Sequence, residues 1–360
     1  MAHIFKQPTN NSKGIIVYTH KELEKPRWSK LDGPIPLISD SISSKYYLGM
    51  HYGSVPKVIH PGMLPKNISF VMAGHNQMKV LDESILHIPM NSRNFIPDFF
   101  KPRDTVKFWD ILNISRNHPH KHLDIFINSV KQLYDAGYNY KVLLVVATEP
   151  HELEDNSTWP KIVKMYEDMF TIQEKDNFTL MRLSCEFSGQ GLPMRTIAHF
   201  YNSSKIFSMI CHAEGESRVI HEALASGLPV VCYKNLTGGG TDFLNSTNSV
   251  QFDDYRKLAD SLRIAVQKYD KNQLSVDIEQ ISKILNSNNT IGVFKNYLEP
   301  LFVKDGSSLT QEDLINCDYL QLRLPGHFLE IPWYDQEFYK YGADILTMNQ
   351  FDAFKQELIL

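Results

Sequence analysis

Cysteine is scarce here: four residues in 360, at Cys185, Cys211, Cys232 and Cys317, too widely spread to form a disulfide framework. Two of them fall in expected buried strands, which suits free thiols in a reducing compartment. No apolar run approaches the roughly 20 residues that a membrane-spanning helix needs. The opening Met1-Ala2-His3-Ile4-Phe5-Lys6-Gln7-Pro8 also lacks the charged-then-apolar order of a secretory signal, so the expected location is the cytoplasm. A single-sign charge excess is missing too: 37 basic residues face 41 acidic ones, a formal net charge of −4, which leaves no basic field for nucleic acid. Lys21, Lys25, Arg27 and Lys30 are offset by Glu22, Glu24 and Asp32, so peripheral contact with a membrane surface stays open without a dedicated patch. No internal repeat or low-complexity segment stands out. With 42% hydrophobic and 22% charged residues, the chain is long enough for two domains with full cores.

Against that plain background one stretch carries chemistry. The apolar run Ile206-Phe207-Ser208-Met209-Ile210-Cys211 reads as a centrally buried parallel strand and runs out at Glu214-Gly215, where a helix is expected to begin. The helical pattern of residues 217–226 is closed by Gly227, suited to a left-handed cap, and by Pro229, after which Val230-Val231-Cys232-Tyr233 resumes as a strand. In open α/β sheets ligands bind beyond the carboxyl ends of the strands, and the amides at a helix start favour phosphate there. Glu214 would line that crevice. Glu222, eight residues on and about two turns along the helix, would sit at the opposite end of an elongated ligand. Carboxylates beside a diphosphate make sense as acceptors for hydroxyls, one set on a sugar and the other on a ribose. The plainer alternative is that Glu214 caps the helix and Glu222 is a solvated face residue; spacing alone does not separate the two.

Glu-x7-Glu after a buried strand, followed by Glu-Ala-Leu-Ala-Ser-Gly-Leu-Pro-Val-Val, resembles the retaining glycosyltransferases of family 4, which have the GT-B fold. The resemblance implies an α/β protein of two Rossmann-like domains facing a cleft, the N-terminal one short, with a C-terminal helix crossing back. It also implies a metal-independent enzyme with no cofactor, whose partners are a nucleotide-sugar donor and a glycan or other hydroxyl acceptor. Its demand for an Arg and a Lys five residues apart after the first donor-half strand is met by Arg116 and Lys121, which follow Trp109-Asp110-Ile111-Leu112-Asn113-Ile114-Ser115. By resemblance both cations hold the donor diphosphate, and a guanidinium fork plus a compact ammonium is apt chemistry for that. The family usually has Gly after the Lys, whereas this chain has His122. The further donor contacts implied are Gly215, Glu216, Ser217 and Arg218 at the helix start, Glu222, and Gly239 and Gly240 of Gly238-Gly239-Gly240-Thr241-Asp242. Asn113-Ile114-Ser115 falls inside an expected strand, where a glycan could not fit.

A metal reading of His118-Pro119-His120-Lys121-His122 is the weaker one, because a Lys sits among the imidazoles and no cysteine or carboxylate completes a set. The Asp-x-Asp of metal-dependent glycosyltransferases is missing, and Asp253-Asp254 reads as helix capping. Strands are expected over residues 14–20, 34–39, 57–60, 68–73 and 85–89 in the first half, then strand and helix alternate from 107 to about 303. The expected division is an acceptor-side domain at 1–105, a nucleotide-sugar domain at 106–305, a connection at 306–330, and a tail of 330–360 packing back on the first domain. His51 and His75 are the acceptor-side candidates, each weighed against a plain hydrogen-bonded loop histidine. Helix 350–358 would cross back, and Trp333 or Tyr334 would stack on sugar or pack in the core. A degenerate, non-catalytic binding subunit and a sugar-nucleotide epimerase or phosphorylase on the same fold remain as alternatives.

Overall fold

A computed structural model describes residues 2–19, 40–52, 58–59, 67–73, 79–80, 83–90, 94–148, 158–184, 192, 194–285 and 287–314. The chain divides into two compact units, Met1–Pro97 with Lys283–Leu360, and Asp98–Ser282.

In the first unit, strands β1 (Ala2–Lys6), β2 (Gly14–Thr19), β3 (Tyr46–Tyr52), β5 (Ile68–Ala73) and β7 (Leu86–Ile88) form one sheet in the order β1-β2-β3-β5-β7. Short β4 (Val58–Ile59) and β6 (Lys79–Val80) pair separately, and helix α1 (Asp40–Lys45) leads into β3. Only β1 runs antiparallel to its neighbour. Ile15, Val17, Phe70 and Met72 alternate along their strands and are buried in one cluster with Phe294, Leu298 and Phe302.

The second unit is a doubly wound sheet. Strands β8 (Trp109–Arg116), β9 (Val142–Thr148), β10 (Phe178–Ser184), β11 (Ser204–Met209), β13 (Val230–Tyr233) and β15 (Ser249–Phe252) lie in the order β10-β9-β8-β11-β13-β15, all parallel. The order reverses between β8 and β11, which is the topological switch point where such sheets bind ligands. A separate two-stranded ribbon joins β12 (Ala213–Glu216) to β14 (Thr237–Gly239). The helices are α2 (Leu123–Asp135), α3 (Thr158–Met169), α4 (Ile172–Lys175), α5 (Met194–Asn202), α6 (Arg218–Ala225) and α7 (Leu258–Asp270), followed by α8 (Ile278–Leu285) at the unit boundary and α9 (Ser287–Lys304). Helix α2 buries Leu123, Phe126, Ile127, Val130 and Leu133, a 3.6-residue stripe, against the fully covered β9 run Val142–Val146. Gly137 and Gly227 close α2 and α6 at φ 84° and 76°, as their sequence positions suggested.

Three expectations need correction. The fold returns to the first unit at Lys283 rather than beyond 305, because α9 places Ile291, Phe294, Leu298 and Phe302 in the first unit's core. The first boundary lies at 97/98 instead of 105/106. His51 is not in a loop but in β3, paired opposite Met72 and Thr19 and 7% exposed. The expected strand at 34–39, His75, Cys185, Cys317, Trp333, Tyr334, the helix at 350–358 and the charged residues at 21–32 lie outside the described residues. Among the described residues no helix is long and apolar enough to cross a membrane.

Candidate active site

The switch point brings two connections together at the carboxyl edge of the second unit's sheet. Arg116 is the last residue of β8 and exposed, and the chain then makes a 3-10 turn at Pro119–Lys121 before α2 begins. From β11 the chain continues through Cys211 and His212 into β12, which carries Glu214. The ammonium of Lys121 donates to Glu214 Oε1, with only 13% and 15% of the two side chains exposed. The Cys211 thiol donates to the same oxygen at 3.5 Å. Burial pushes the Cys211 thiol above its ordinary pKa, and Lys121 beside it partly opposes the rise. It therefore acts as a neutral hydrogen-bond donor rather than as a nucleophile.

Glu214 does not sit at a helix entrance. The backbone of Ala213–Glu216 pairs in parallel with Thr237–Gly239, so a short ribbon stands between the buried strand and the helix. The N-cap of α6 is Ser217, whose hydroxyl makes no cap hydrogen bond and has no partner among the described residues although the residue is 2% exposed. The first amides of any helix lack intrahelical acceptors, so this start presents donors and the positive end of the helix dipole. Gly240 lies against it at φ 107°, and a Cβ there would stand 3.0 Å from Ser217 Cβ and 3.3 Å from its amide nitrogen. The glycine loop is thus pinned by β14 and laid on the helix tip, rather than being a free linker.

Glu222 differs most from its expected setting. It is 6% exposed and already has donors on both oxygens: Arg218 Nε to Oε1 at 2.7 Å and the Tyr201 hydroxyl to Oε2 at 3.2 Å. It faces α5, where Tyr201 is fully buried, because positions 218 and 222 share one helix face. Burial raises the Glu222 pKa and Arg218 opposes it, while Tyr201 is driven well above its ordinary value by its own burial and then by Glu222. Neither plain alternative describes these residues: Glu214 caps no helix, and Glu222 is not a solvated face residue.

The structure therefore brings Lys121 to Glu214, Gly240 to Ser217, and Arg218 to Glu222. Arg116 lies on the same sheet edge, and Gly215, Glu216 and Gly239 lie on the β12–β14 ribbon. His51 belongs to the other unit. Cys211, His212, Tyr201 and Tyr255 were not picked out from sequence; only Cys211, as the polarisable end of an apolar run, left any signal. Asp254 caps the turn at Tyr255–Lys257 by accepting from the Arg256 amide, in keeping with the capping role read from Asp253-Asp254. Among the described residues no group of three or more His, Cys, Asp or Glu is placed to hold a metal ion.

Residues 95–273 match the family described as Glycosyl transferases group 1. No curated protein sequence matches the chain. Among solved structures, the sucrose-phosphate synthase of Thermosynechococcus elongatus is 14% identical, over 72% of this chain and 69% of that one, with a TM-score of 0.51. HepE of Anabaena, in a complex with UDP-glucose, is 14% identical over 72% and 73% with a TM-score of 0.47. TarM of S. aureus, in a complex with UDP among other ligands, is 15% identical over 70% of this chain and 51% of that one, with a TM-score of 0.48. This chain thus spans about half the length of TarM. The α/β architecture with parallel sheets is that of GT-B glycosyltransferase structures.

Proposed function

We propose, for a chain whose residues 95–273 carry a glycosyl transferases group 1 domain, that it transfers a sugar from a nucleotide-diphosphate donor to a hydroxyl acceptor with retention at the anomeric carbon. The observation that carries the reading is the Lys121–Glu214 pair at the switch point, next in the chain to a helix start whose N-cap hydroxyl is buried and unpartnered.

In this reading the diphosphate lies between Arg116, Lys121 and the α6 amides, which neutralise the charge that builds on the leaving group as the sugar–oxygen bond breaks. Lys121 can turn its remaining protons to phosphate while it stays bonded to Glu214, because an ammonium has three. Glu214 has a second carboxylate oxygen for donor-sugar hydroxyls. Gly239, Gly240 and Ser217 bring backbone within reach of the sugar and phosphate, as Gly215 and Glu216 do through the ribbon backbone. Glu222 keeps lone pairs beyond those used by Arg218 and Tyr201, and these are the ones assigned to ribose hydroxyls. His51, and His75 with it, are assigned to the acceptor side. The protein's own cations serve in place of a metal ion, and the acceptor is a glycan or other hydroxyl compound.

A thermal-shift screen of nucleotide-sugars, followed by a nucleotide-release assay on the compounds that bind, tests the reading. At least one donor is expected to raise the melting temperature and to release nucleotide faster with a hydroxyl acceptor. Binding without any release, with or without acceptor, would leave a sugar-binding subunit instead.

A further inference from the structure

The residue after Lys121 is held in a conformation that its side chain disfavours. His122 has φ 51° and ψ 40°, the left-handed region, where it ends the 3-10 turn and begins α2. Histidine is among the few non-glycine residues that visit this region. Here its imidazole has a specific engagement. His122 Nε2 lies 2.8 Å from His212 Nδ1, with ring centroids 5.0 Å apart, and the His122 ring packs on Tyr255 at 4.8 Å. Tyr255 in turn stacks on Tyr233 at 4.9 Å with planes 13° apart. Side chains from the connections after β8, β11 and β15 and from the end of β13 thus converge on one point.

His212 is the hub of that point. Its carbonyl accepts from the Thr237 amide at 3.0 Å and from the Thr237 hydroxyl at 3.3 Å, which ties it to β14 and the glycine loop. Two residues later the chain reaches Glu214, and the ring of His212 reaches across to the residue beside Lys121. One imidazole contact therefore joins the loop that carries the ammonium, the strand that carries the carboxylate and the loop that lies on the helix tip.

From this arrangement we infer that His122 and His212 form a positioning clasp, which fixes Lys121 against Glu214 and holds only while the pair carries at most one extra proton. The inference rests on the functional reading above for its consequence, but not for the clasp itself. A nitrogen–nitrogen hydrogen bond needs one ring to bring N–H and the other a bare lone pair; two imidazolium rings have no lone pair to share and repel. The surrounding groups favour the neutral state. Lys121 on the same loop is a cation, His120 is held neutral down to about pH 4, and Tyr255 and the Cys211 thiol, both raised by burial, stay uncharged; His118 and Tyr233 also lie beside the cluster. Asp124 on α2 favours the charged form of His122, and Glu214 beyond His212 is bonded to Lys121. The pKa of His122 is lowered, first by burial and then by His212, with Asp124 acting against both.

Two measurements on the full chain test the clasp. In an imidazole nitrogen NMR titration, His212→Gln is expected to move the His122 midpoint, because the His212 ring is its direct partner. An unchanged His122 midpoint in the variant overturns the clasp whether or not the protein is a glycosyltransferase. Binding of UDP and of GDP between pH 8 and pH 5 tests the consequence. His122→Gly relieves the left-handed backbone and should fold at least as well as the wild type, yet bind about tenfold more weakly at pH 7.5. It should also lose the extra weakening that the wild type shows toward pH 5; the nucleotide's own protonation is common to both and cancels. His122→Asn, which tolerates the same backbone and can donate N–H to His212, should restore the affinity at pH 7.5. Wild-type affinity and pH dependence in His122→Gly contradict the positioning role. Failure of the wild type to bind either nucleotide at any pH counts against the functional reading for these nucleotides and leaves the NMR result to decide the clasp.

Discussion

Lys121 and Glu214 were expected to hold different parts of one ligand, and the fold bonds them to each other. The two side chains are largely buried, so the pair holds both charges in place in advance, and on the proposed reading little reorganisation is left for a phosphate. Lys121→Ala or Arg116→Ala should therefore lower nucleotide release by on the order of 100-fold or more; the exposed Arg116 should be lost with little change in melting temperature, whereas Lys121→Ala strands the Glu214 carboxylate and should lower it. Turnover at the wild-type rate in either variant would remove both from the mechanism. Glu222 calls for a different expectation, because its carboxylate is the buried counter-charge of Arg218 and the acceptor for Tyr201. Glu222→Ala should cost about 3 kcal/mol of stability in denaturant titration, since it strands a partly buried guanidinium. The sequence could show that Glu214 and Glu222 share a spacing, but not that one is bonded by Lys121 and the other by Arg218 and Tyr201. That depends on where α5 packs, and no residue within the motif records it.

Among the elements, the strand–helix–strand unit from β11 to β13 was readable because each signal was local: an unbroken apolar run, a helical stretch, then Gly227 and Pro229. The β12–β14 ribbon was not, because Glu-Gly-Glu and Thr-Gly-Gly are dominated by Gly and Glu, which strands disfavour, and pair only when tertiary structure brings them side by side. His51 in β3 was missed for a related reason: Tyr46–Tyr52 is flanked by glycine and polar residues that read as loop until parallel neighbours cover it. Gly240 is the residue on which the ribbon's fit to α6 turns. Gly240→Ala places a methyl against the Ser217 backbone at a φ of 107°. It should weaken nucleotide binding at least tenfold by calorimetry, whereas Gly137→Ala, at φ 84° with nothing within 4 Å, should change stability by only about 1 kcal/mol and leave binding intact.

For the molecule as a whole, α9 belongs to the first unit's core although it follows the entire second unit in sequence. Phe294 is fully buried against Phe5, Phe70 and Phe95, with ring centroids at 4.7, 6.1 and 6.1 Å. Phe294→Ala should cost about 3–5 kcal/mol in thermal unfolding of the first unit. The sequence reading put this return too late because α9 continues the helical rhythm of the second unit; the aromatic partners that mark its allegiance, Phe5, Phe70 and Phe95, lie far upstream, before the whole second unit. Acid should act on the second unit. His120 is held down to a pKa of about 4, first by burial and then by Lys121 and the neighbouring imidazoles, and His122 is also lowered. A base held below its unfolded value of about 6.5 takes up fewer protons when folded, so its contribution to stability is complete above that pH and is lost as pH falls toward 4. Melting curves between pH 7 and pH 4 should therefore fall, and fall less in His120→Asn. A crystal structure with a bound nucleoside diphosphate locates the diphosphate. Phosphate oxygens are expected within about 3.2 Å of Arg116, of Lys121 and of an amide at the start of α6. A nucleotide bound at another edge of the sheet, or one whose phosphates touch neither cation, would contradict that placement.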